Sequence, residues 1–345
     1  MSLRAHLPVV VIVLSLTPVP VRAQAAFETR GTRALGMAGA FVAVADDSTA
    51  TYWNPAGLAQ IRFFDATLER TGLDHEELTP GLAEGGTGWR ARVTRLAVAV
   101  PVLAFSYDRG QVVEVWPAAT AAVAPDRQDV RTEPVARTFR VQHFGLTLVQ
   151  SAGDFIVVGS TLRLVRGGAA AVRLDGGTPV DDGIGRAEAL DVGGSSRFDA
   201  DIGALAWIGR LRLGLVVRNL MAPEFDVSGG EPWRLERQAR IGASFGGEPA
   251  RGQRPWTVAV DADVTTTSLP EGDRRTLAAG GERWWSDRRI ALRGGARLQT
   301  VGDPRPAASA GMSVGVRAGM LIEAQATGGV DDGDRGWSVA ARLTF

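Results

Sequence analysis

The chain has 345 residues, equal numbers of basic and acidic side chains (38 each), no net formal charge and 43 glycines. All the basic residues are arginine and there is no cysteine. These facts exclude lysine Schiff bases, Walker-type phosphate loops, disulfides and thiol catalysis. The balanced charge does not indicate a nucleic-acid partner. Three histidines are too few for a convincing metal cluster or catalytic triad, so we expect no cofactor, no metal and no catalytic residue.

Residues 1–25 have the layout of a cleaved secretory signal. Arg4 precedes the apolar run at 7–21, and small residues form the exit at 21–23. A retained membrane anchor is the alternative, but the run is short and is broken by Pro18 and Pro20. The sequence therefore predicts an exported protein whose mature part begins near residue 26.

Residues 26–61 form a segment of small side chains ahead of any strand pattern. Gly31 to Gln60 reads GTRALGMAGAFVAVADDSTATYWNPAGLAQ, which has neither a helical period nor a strand alternation. Asp46-Asp47-Ser48 provides capping groups for a short helix that begins near Thr49, and Pro55 would end it. We interpret residues 26–61 as one compact N-terminal plug domain.

From residue 62 to residue 345 the apolar residues recur at every second position, which is the pattern of β-strands. In WSVAARLTF, for example, Trp337, Val339 and Leu343 fall on one face, and Ser338 and Arg342 on the other. Placing the turns predicts about 14 strands, near 62–71, 92–100, 102–108, 138–149, 154–166, 197–208, 211–220, 237–246, 255–265, 273–285, 288–299, 307–317, 319–328 and 336–345.

These strands favour a membrane barrel over the alternative, a water-soluble β-sandwich. Many are about 9–13 residues long, enough to cross a bilayer at a tilt, whereas soluble strands usually have about five or six residues. Tight turns alternate with longer loops, as in bacterial outer-membrane barrels. The predicted fold is all-β: a transmembrane antiparallel up-and-down β-barrel of about 14 strands (62–345), with the N-terminal hatch (26–61) inside its lumen.

This fold predicts the location and some of the partners. An exported barrel belongs in the bacterial outer membrane, in contact with outer-membrane lipid. The terminal aromatic residue, Phe345, is typical of the C-terminal signal that the barrel-assembly machinery reads. A 14-stranded barrel is too wide for its inward side chains to meet, so its lumen is open unless a segment such as 26–61 fills it.

The second face of the strands carries charged residues of both signs, which the alternation directs into the lumen. Such residues either pair with each other and anchor the plug or contact a ligand carboxylate. In the outer loops, Trp116 and Trp233 are the better candidates for contact with an apolar ligand. The lumenal charge candidates are Arg163, Asp201, Arg212, Arg218, Asp261, Asp263, Arg293 and Arg297.

The Gly31–Gln60 segment resembles the N-terminal signature of the FadL/TodX-type transporters of hydrophobic compounds. It is still more similar to their PorV and TraF-like outer-membrane relatives. The matching elements are GTRALGMAGA, the Ala-Asp-Asp stretch and the Asn-Pro-Ala-Gly-Leu end. The resemblance implies a hatch lodged in the lumen, and it carries over to Gly36, Gly39, Asp46, Asp47, Asn54, Pro55 and Ala56. A role for these residues in fixing the fold, without ligand contact, remains open.

The resemblance implies hatch-gated passive uptake of hydrophobic small molecules such as fatty acids or hydrocarbons. The alternative is a PorV-like barrel that binds partner proteins in secretion or envelope assembly and transports nothing. An outer-membrane lipase or acyltransferase would need a Ser-His pair, and only His75 and His143 remain in the mature chain. We therefore expect a protein that is not an enzyme.

Overall fold

The computed structural model describes residues 29–76, 82, 87–116, 120–121, 130–131, 133–226, 232–247, 255–269, 272–286, 288–302, 304–329 and 334–345. The predicted signal peptide, residues 1–25, lies outside the described residues. No helix in the described part of the chain is long and apolar enough to cross a membrane.

Fourteen antiparallel strands form one closed barrel in which each strand pairs with the next along the chain. The last strand closes the barrel by pairing with the first, with Asp65 opposite Thr344. The predicted 14-stranded up-and-down barrel is therefore confirmed. The strands are β1 (Asp65–Glu76), β2 (Gly88–Val100), β3 (Leu103–Trp116), β4 (Val135–Ser151), β5 (Ile156–Arg173), β6 (Ser195–Ile208), β7 (Leu211–Arg218), β8 (Gln238–Gly246), β9 (Trp256–Asp263), β10 (Thr276–Trp285), β11 (Ile290–Gln299), β12 (Ala307–Arg317), β13 (Met320–Gly329) and β14 (Asp334–Thr344).

The alternation of the sequence sorts side chains between the two faces of the wall. In β5, Leu162 and Leu164 are exposed on the outer face, and Thr161, Arg163 and Val165 are buried on the inner face. A slip of one residue in register would exchange the two sets, so the pattern fixes which side chains face inward. At the level of Leu162 and Leu164 the outer face is therefore an apolar belt, and the inner face is largely polar.

Strands β3 and β5 extend well beyond their predicted ends, from 108 to Trp116 and from 166 to Arg173. Residues 112–115 of β3 are buried on both faces, so the two-residue alternation of exposure disappears there. A strand covered on both sides is a continuous apolar run rather than an alternating one. The predicted strand therefore ended where the apolar–polar alternation ended, although the strand pairing continues beyond that point.

A helix, α3 (Val180–Glu188), covers the outer face of these extensions. Its Ile184 packs in one apolar cluster with Val113, Val115 and Ala136. These wall residues alternate with side chains that line the lumen, so α3 lies outside the barrel. Arg90, on the outer face of β2, pairs with Asp181 and Glu188 of α3, each at 3.2 Å.

The other short elements lie inside the barrel or in its loops. Before β1 come α1 (Thr32–Gly36), α2 (Ala50–Trp53) and a 3₁₀ helix (Pro55–Gln60). Three small ladders lie in the longer loops and were not predicted. They pair Thr120–Ala121 with Val130–Arg131, Glu224–Phe225 with Trp233–Arg234, and Thr267–Leu269 with Gly272–Arg274.

Candidate functional site

Residues 29–61, which we call the inner segment, lie within the ring of strands near its short-turn end. Phe41 and Trp53 are fully buried and share one apolar cluster with wall residues. Among those wall residues, Ala99 and Ala104 flank the tight β2–β3 turn, and Ala278 lies across the barrel on β10. The lumen is therefore filled by the chain itself at this level.

Arg33 lies at the centre of the contacts between the inner segment and the wall. Its Nε and Nη2 atoms each donate to a carboxylate oxygen of Glu282, on β10, at 2.7 Å. Its Nη1 atom contacts Asp46 and lies 3.0 Å from Asp47. Burial opposes the charge on Arg33, but Asp46 and Glu282 outweigh burial and hold the pKa of Arg33 well above its ordinary value. The guanidinium is therefore ionised and shared among three carboxylates.

The same network continues into several strands. Glu282 also accepts from Arg293 Nε, on β11, at 2.6 Å. Arg342, on β14, lies 2.7 Å from Asp65 and 3.6 Å from Asp47. Burial alone would raise the pKa of Asp47, but Arg342 and Arg33 reverse the effect and lower it. The ion pairs connect the inner segment to strands on both sides of the β14–β1 closure.

Two wall carboxylates bind backbone amides of the inner segment directly. Asp261 Oδ2, on β9, accepts from the amides of residues 41 and 42 at 2.8 and 2.7 Å. Glu69, on β1, accepts from the amides of residues 31 and 32 at 2.8 and 2.9 Å. Carboxylate–amide bonds are among the stronger hydrogen bonds, and these satisfy amides that irregular backbone would otherwise leave unpaired. Two opposite regions of the wall thus hold the segment.

The predicted hatch residues include two glycines with backbone roles. A Cβ on Gly36 would lie 3.3 Å from the Cα of Gly311 on β12, so α1 approaches the wall closely there. Gly39 has a φ of +88°, a left-handed conformation that favours glycine. Asp46 and Asp47 bind Arg33, and the amide of Thr49 donates to Asp47 at 3.0 Å, just before α2 begins at Ala50.

The Asn54-Pro55-Ala56 stretch lies against β5 and β6. Asn54 Nδ2 donates to the carbonyl oxygens of Val42 and Ala204 at 2.9 and 3.0 Å, so its amide links two parts of the chain. On β5, a Cβ at Gly159 would lie 2.3 Å from the carbonyl carbon of Pro55, so only glycine permits this approach. These contacts show what the hatch residues touch. Their part in gating stays a prediction.

The lumenal charge candidates lie on the inner face, and the pairs that they form involve lumenal acids. Arg163 binds Asp201, and it binds Asp199 at 2.9 Å. Arg240 Nε donates to Asp263 at 2.6 Å. Asp263 is half-buried, and the other seven candidates are buried: Arg163, Asp201, Arg212, Arg218, Asp261, Arg293 and Arg297. The contacts favour the anchoring interpretation, and ligand contact by any of them stays a prediction.

Sequence reasoning missed several members of these networks. Arg95 pairs with Asp108 at 2.7 Å across β2 and β3. Glu69 and Glu282, which hold the inner segment, were also overlooked. All four occupy inward positions of predicted or extended strands, so the parity of charged residues within each strand was the available signal.

A small cavity lies between the inner segment and the long-loop end of the barrel. Its volume is about 40 Å³. Arg30 and Tyr52 of the inner segment lie on one side of the cavity, and Phe139 and Trp233 lie on the other. The rings of Phe139 and Trp233 are stacked, with their centroids 4.9 Å apart and an angle of 11° between their planes. An apolar cavity of about 150 Å³ admits benzene, so this cavity is closed to an aromatic hydrocarbon unless a side chain moves.

The cavity borders an apolar cluster in the upper lumen, on the loop side of the charged networks. Trp233, predicted as a ligand contact, is buried in this cluster, whereas Trp116 bonds Glu114 at 3.1 Å and does not line the cavity. The cluster comprises Leu73, Trp89, Ala91, Val112, Phe139, Val141, Val165, Ala169, Phe225, Trp233 and Leu235. The barrel therefore offers apolar side chains between its loops and its inner segment.

The remaining groups that the sequence singled out are His143 and Phe345. His143 lines the cavity with its Nδ1 atom 3.5 Å from Arg30 Nη2, so the contact of this ring nitrogen is with an arginine. Within the described ranges, no group of three or more His, Cys, Asp or Glu could hold a metal ion. Phe345 is exposed, and its amide bonds Phe64 O at 3.0 Å beside the β14–β1 closure. Its role in assembly stays a prediction.

Known structures share this fold over most of the chain. The CymD monoaromatic hydrocarbon channel superposes with a TM-score of 0.61 at 13% identity, over 91% of this chain and 97% of that one. The Ralstonia pickettii toluene transporter TbuX gives 0.60 at 13% identity, over 92% and 99%. The P. putida toluene transporter TodX gives 0.57 at 11% identity, over 93% and 99%. The chain thus has the barrel fold of FadL/TodX-type channels.

Comparison of sequences alone matches a smaller part of the chain. Residues 118–263 match the family described as the F plasmid transfer operon TraF protein, which is less than half of the chain. No curated protein matches the sequence.

Proposed function

We propose that this chain is a bacterial outer-membrane channel for passive uptake of hydrophobic small molecules, gated by the inner segment. The observation that carries the proposal is the apolar cluster and its cavity, placed between the loops and a segment that fills the lumen. Polar groups such as Arg30 and Arg218 also line the cavity, and the apolar side chains of the cluster are what favours a hydrophobic ligand. The fold shared with hydrocarbon channels supports the same interpretation.

The closed cavity implies where movement is needed. A cavity of about 40 Å³ is too small for a monoaromatic hydrocarbon, and we assign the necessary movement to the stacked rings of Trp233 and Phe139, which line it. Further passage requires the inner segment to shift, since Asp261 and Glu69 hold it across the lumen. The proposal assigns a gate and a binding region, with no chemical step.

Uptake by intact cells tests the proposal. Cells that produce the protein should accumulate labelled toluene or labelled long-chain fatty acid faster than cells with an empty vector. Trp233→Ala should raise toluene entry several-fold, because it removes one of the two rings that close the cavity. The matched control is Trp285→Ala, since Trp285 is exposed on the outer face. Entry of both compounds at the empty-vector rate would contradict the proposal.

A second candidate is a barrel that binds partner proteins in secretion or envelope assembly. The match to the TraF-protein family over residues 118–263 favours it. Affinity purification separates the two candidates. A partner protein recovered in stoichiometric amount, from cells without accelerated uptake, would support this alternative. A channel recovered alone, with uptake, would contradict it.

A further inference from the structure

Three exposed arginines lie on one hydrogen-bonded row of the outer face. Arg70 of β1 is opposite Thr94 of β2, and Thr94 is opposite Arg109 of β3. Arg109 is opposite Gln142 of β4, which is opposite Arg166 of β5. The row thus runs unbroken across five strands and alternates guanidinium groups with a hydroxyl and an amide.

These three arginines have no hydrogen-bond or ion-pair partner among the residues that the structure describes. Arg92 and Arg90 of β2 lie one and two rows closer to the long loops, and these two arginines do have a partner. Both bind Asp74, at 2.9 and 2.6 Å. Asp74 is thus already shared by two cations. Within the described ranges, the arginine row, defined as Arg70, Arg109 and Arg166, is therefore a patch of positive charge that no carboxylate contacts.

The apolar belt ends directly below the arginine row. Two residues towards the short-turn end, the same strands present Leu68, Leu96, Tyr107, Phe144 and Leu164, again opposite one another. The outer face therefore changes from apolar to cationic within a single step along each strand. Such a step matches the boundary between the acyl chains and the headgroups of a bilayer.

An apolar groove leads from this boundary into the belt. It has a volume of about 380 Å³ and is lined by outward side chains that include Phe105, Tyr107, Phe144 and Leu162. Tyr107 and Phe105 lie two and four residues from Arg109 on the same face of β3, so the groove runs down from that arginine. The volume and the apolar lining of the groove suit an alkyl chain.

The loop side of the row is covered by the segment that carries α3. Arg140, on the outer face of β4, donates to the carbonyl oxygen of Glu188 at 2.7 Å. The row thus lies between the helix and the apolar belt, at the long-loop end of the barrel. In outer-membrane barrels the long loops are extracellular, so the row faces the outer leaflet.

We propose that the arginine row and its groove bind a phosphorylated glycolipid of the outer leaflet, with phosphates on the arginines and an acyl chain in the groove. Guanidinium groups bind phosphate through two parallel hydrogen bonds. Arg109 and Arg166 are two strand spacings apart, about 10 Å, so a lipid with two phosphates can engage both. The proposal rests on the membrane placement and not on transport.

Native mass spectrometry of the detergent-purified barrel with diphosphoryl lipid A measures this binding. Each arginine near a lipid surface contributes about 5-fold in affinity, so Arg109→Ala with Arg166→Ala should weaken binding about 25-fold. Arg317→Ala is the matched control, because Arg317 is equally exposed but lies at the short-turn end, and it should change binding less than 2-fold. Leu162→Trp should also weaken binding, because it fills the groove.

Lipid A without phosphates separates the contribution of the phosphates from that of the acyl chain. Its affinity for the unmodified barrel should be no higher than the affinity of diphosphoryl lipid A for the double variant. Equal binding of phosphatidylglycerol would show that the site does not select a glycolipid and would overturn that part. Unchanged binding in the double variant would overturn the whole proposal. Gel mobility of unheated samples verifies that each variant is folded, and unchanged toluene uptake by the double variant would separate this site from transport.

Discussion

Replacing Arg33 by methionine removes a cation that Glu282, Asp46 and Asp47 share, while keeping a side chain of similar length. Arg33 is fully buried and makes two 2.7 Å hydrogen bonds to Glu282 alone. Removing one partner of a buried ion pair costs about 3–5 kcal/mol, because the other charge stays buried and less compensated. The cost falls on the state in which the inner segment is docked.

The consequence is a shift towards an open lumen. A cost of about 3–5 kcal/mol raises the ratio of undocked to docked segment by about two to four orders of magnitude. In planar bilayers, Arg33→Met should therefore conduct ions in frequent openings that the unmodified barrel lacks. The unfolding midpoint of the barrel in urea should fall less, since the strand pairing is retained.

Two comparisons verify the cause. Arg62→Met is the matched control, because Arg62 is exposed, and it should leave conductance unchanged. Glu282→Gln added to Arg33→Met should restore part of the closure, since Glu282 keeps Arg293 but has lost Arg33, and the change removes the charge left less compensated. If Arg33→Met conducts no more than Arg62→Met, or if Glu282→Gln only adds to the defect, the ion-pair reasoning is wrong.

Two further predictions concern the same segment. Gly57→Ala should destabilise the docked segment by about 1–3 kcal/mol, because the new Cβ would lie 1.9 Å from the carbonyl oxygen of Ala45. The control is Gly185→Ala in α3, whose new Cβ meets no atom within 4 Å and should not destabilise the segment. Conductance of both variants measures the difference. Because the pKa of Asp47 is lowered below 3.8, its contribution to docking is present above that pH and is lost as pH falls through the lower, folded pKa. Openings should thus increase in strong acid, and Asp47→Asn should show less of this pH dependence.

The barrel wall was readable from the sequence because its physics is local. A strand that separates an apolar exterior from a polar interior must alternate apolar and polar side chains. The polarity of residues such as Leu162 and Arg163 therefore assigns each to a face, even when the neighbouring strands are unknown. The strand count followed from the turns between such segments. The pattern failed at residues 112–115, because α3 buries the face that would otherwise have been exposed.

The interior was only partly readable. The motif at residues 31–60 marked the segment, and the parity of Arg163 and Asp261 placed them on the inner face. Nothing local states that Asp261 accepts the amides of residues 41 and 42, which lie more than 200 residues away in the chain. Such contacts depend on the curvature of the closed barrel and on the path of an irregular segment. Neither of these produces a repeating pattern of residues in the sequence.

The sequence by itself therefore determined the two faces of the strands wherever they alternate, the number of strands and the place of the N-terminal segment before them. The tertiary structure alone decided which carboxylates hold that segment, that Trp233 and Phe139 stack beside a cavity above it, and that Arg70, Arg109 and Arg166 share one row. The physical reason is that alternation is encoded between adjacent residues, whereas strand register and closure arise only when distant strands pair.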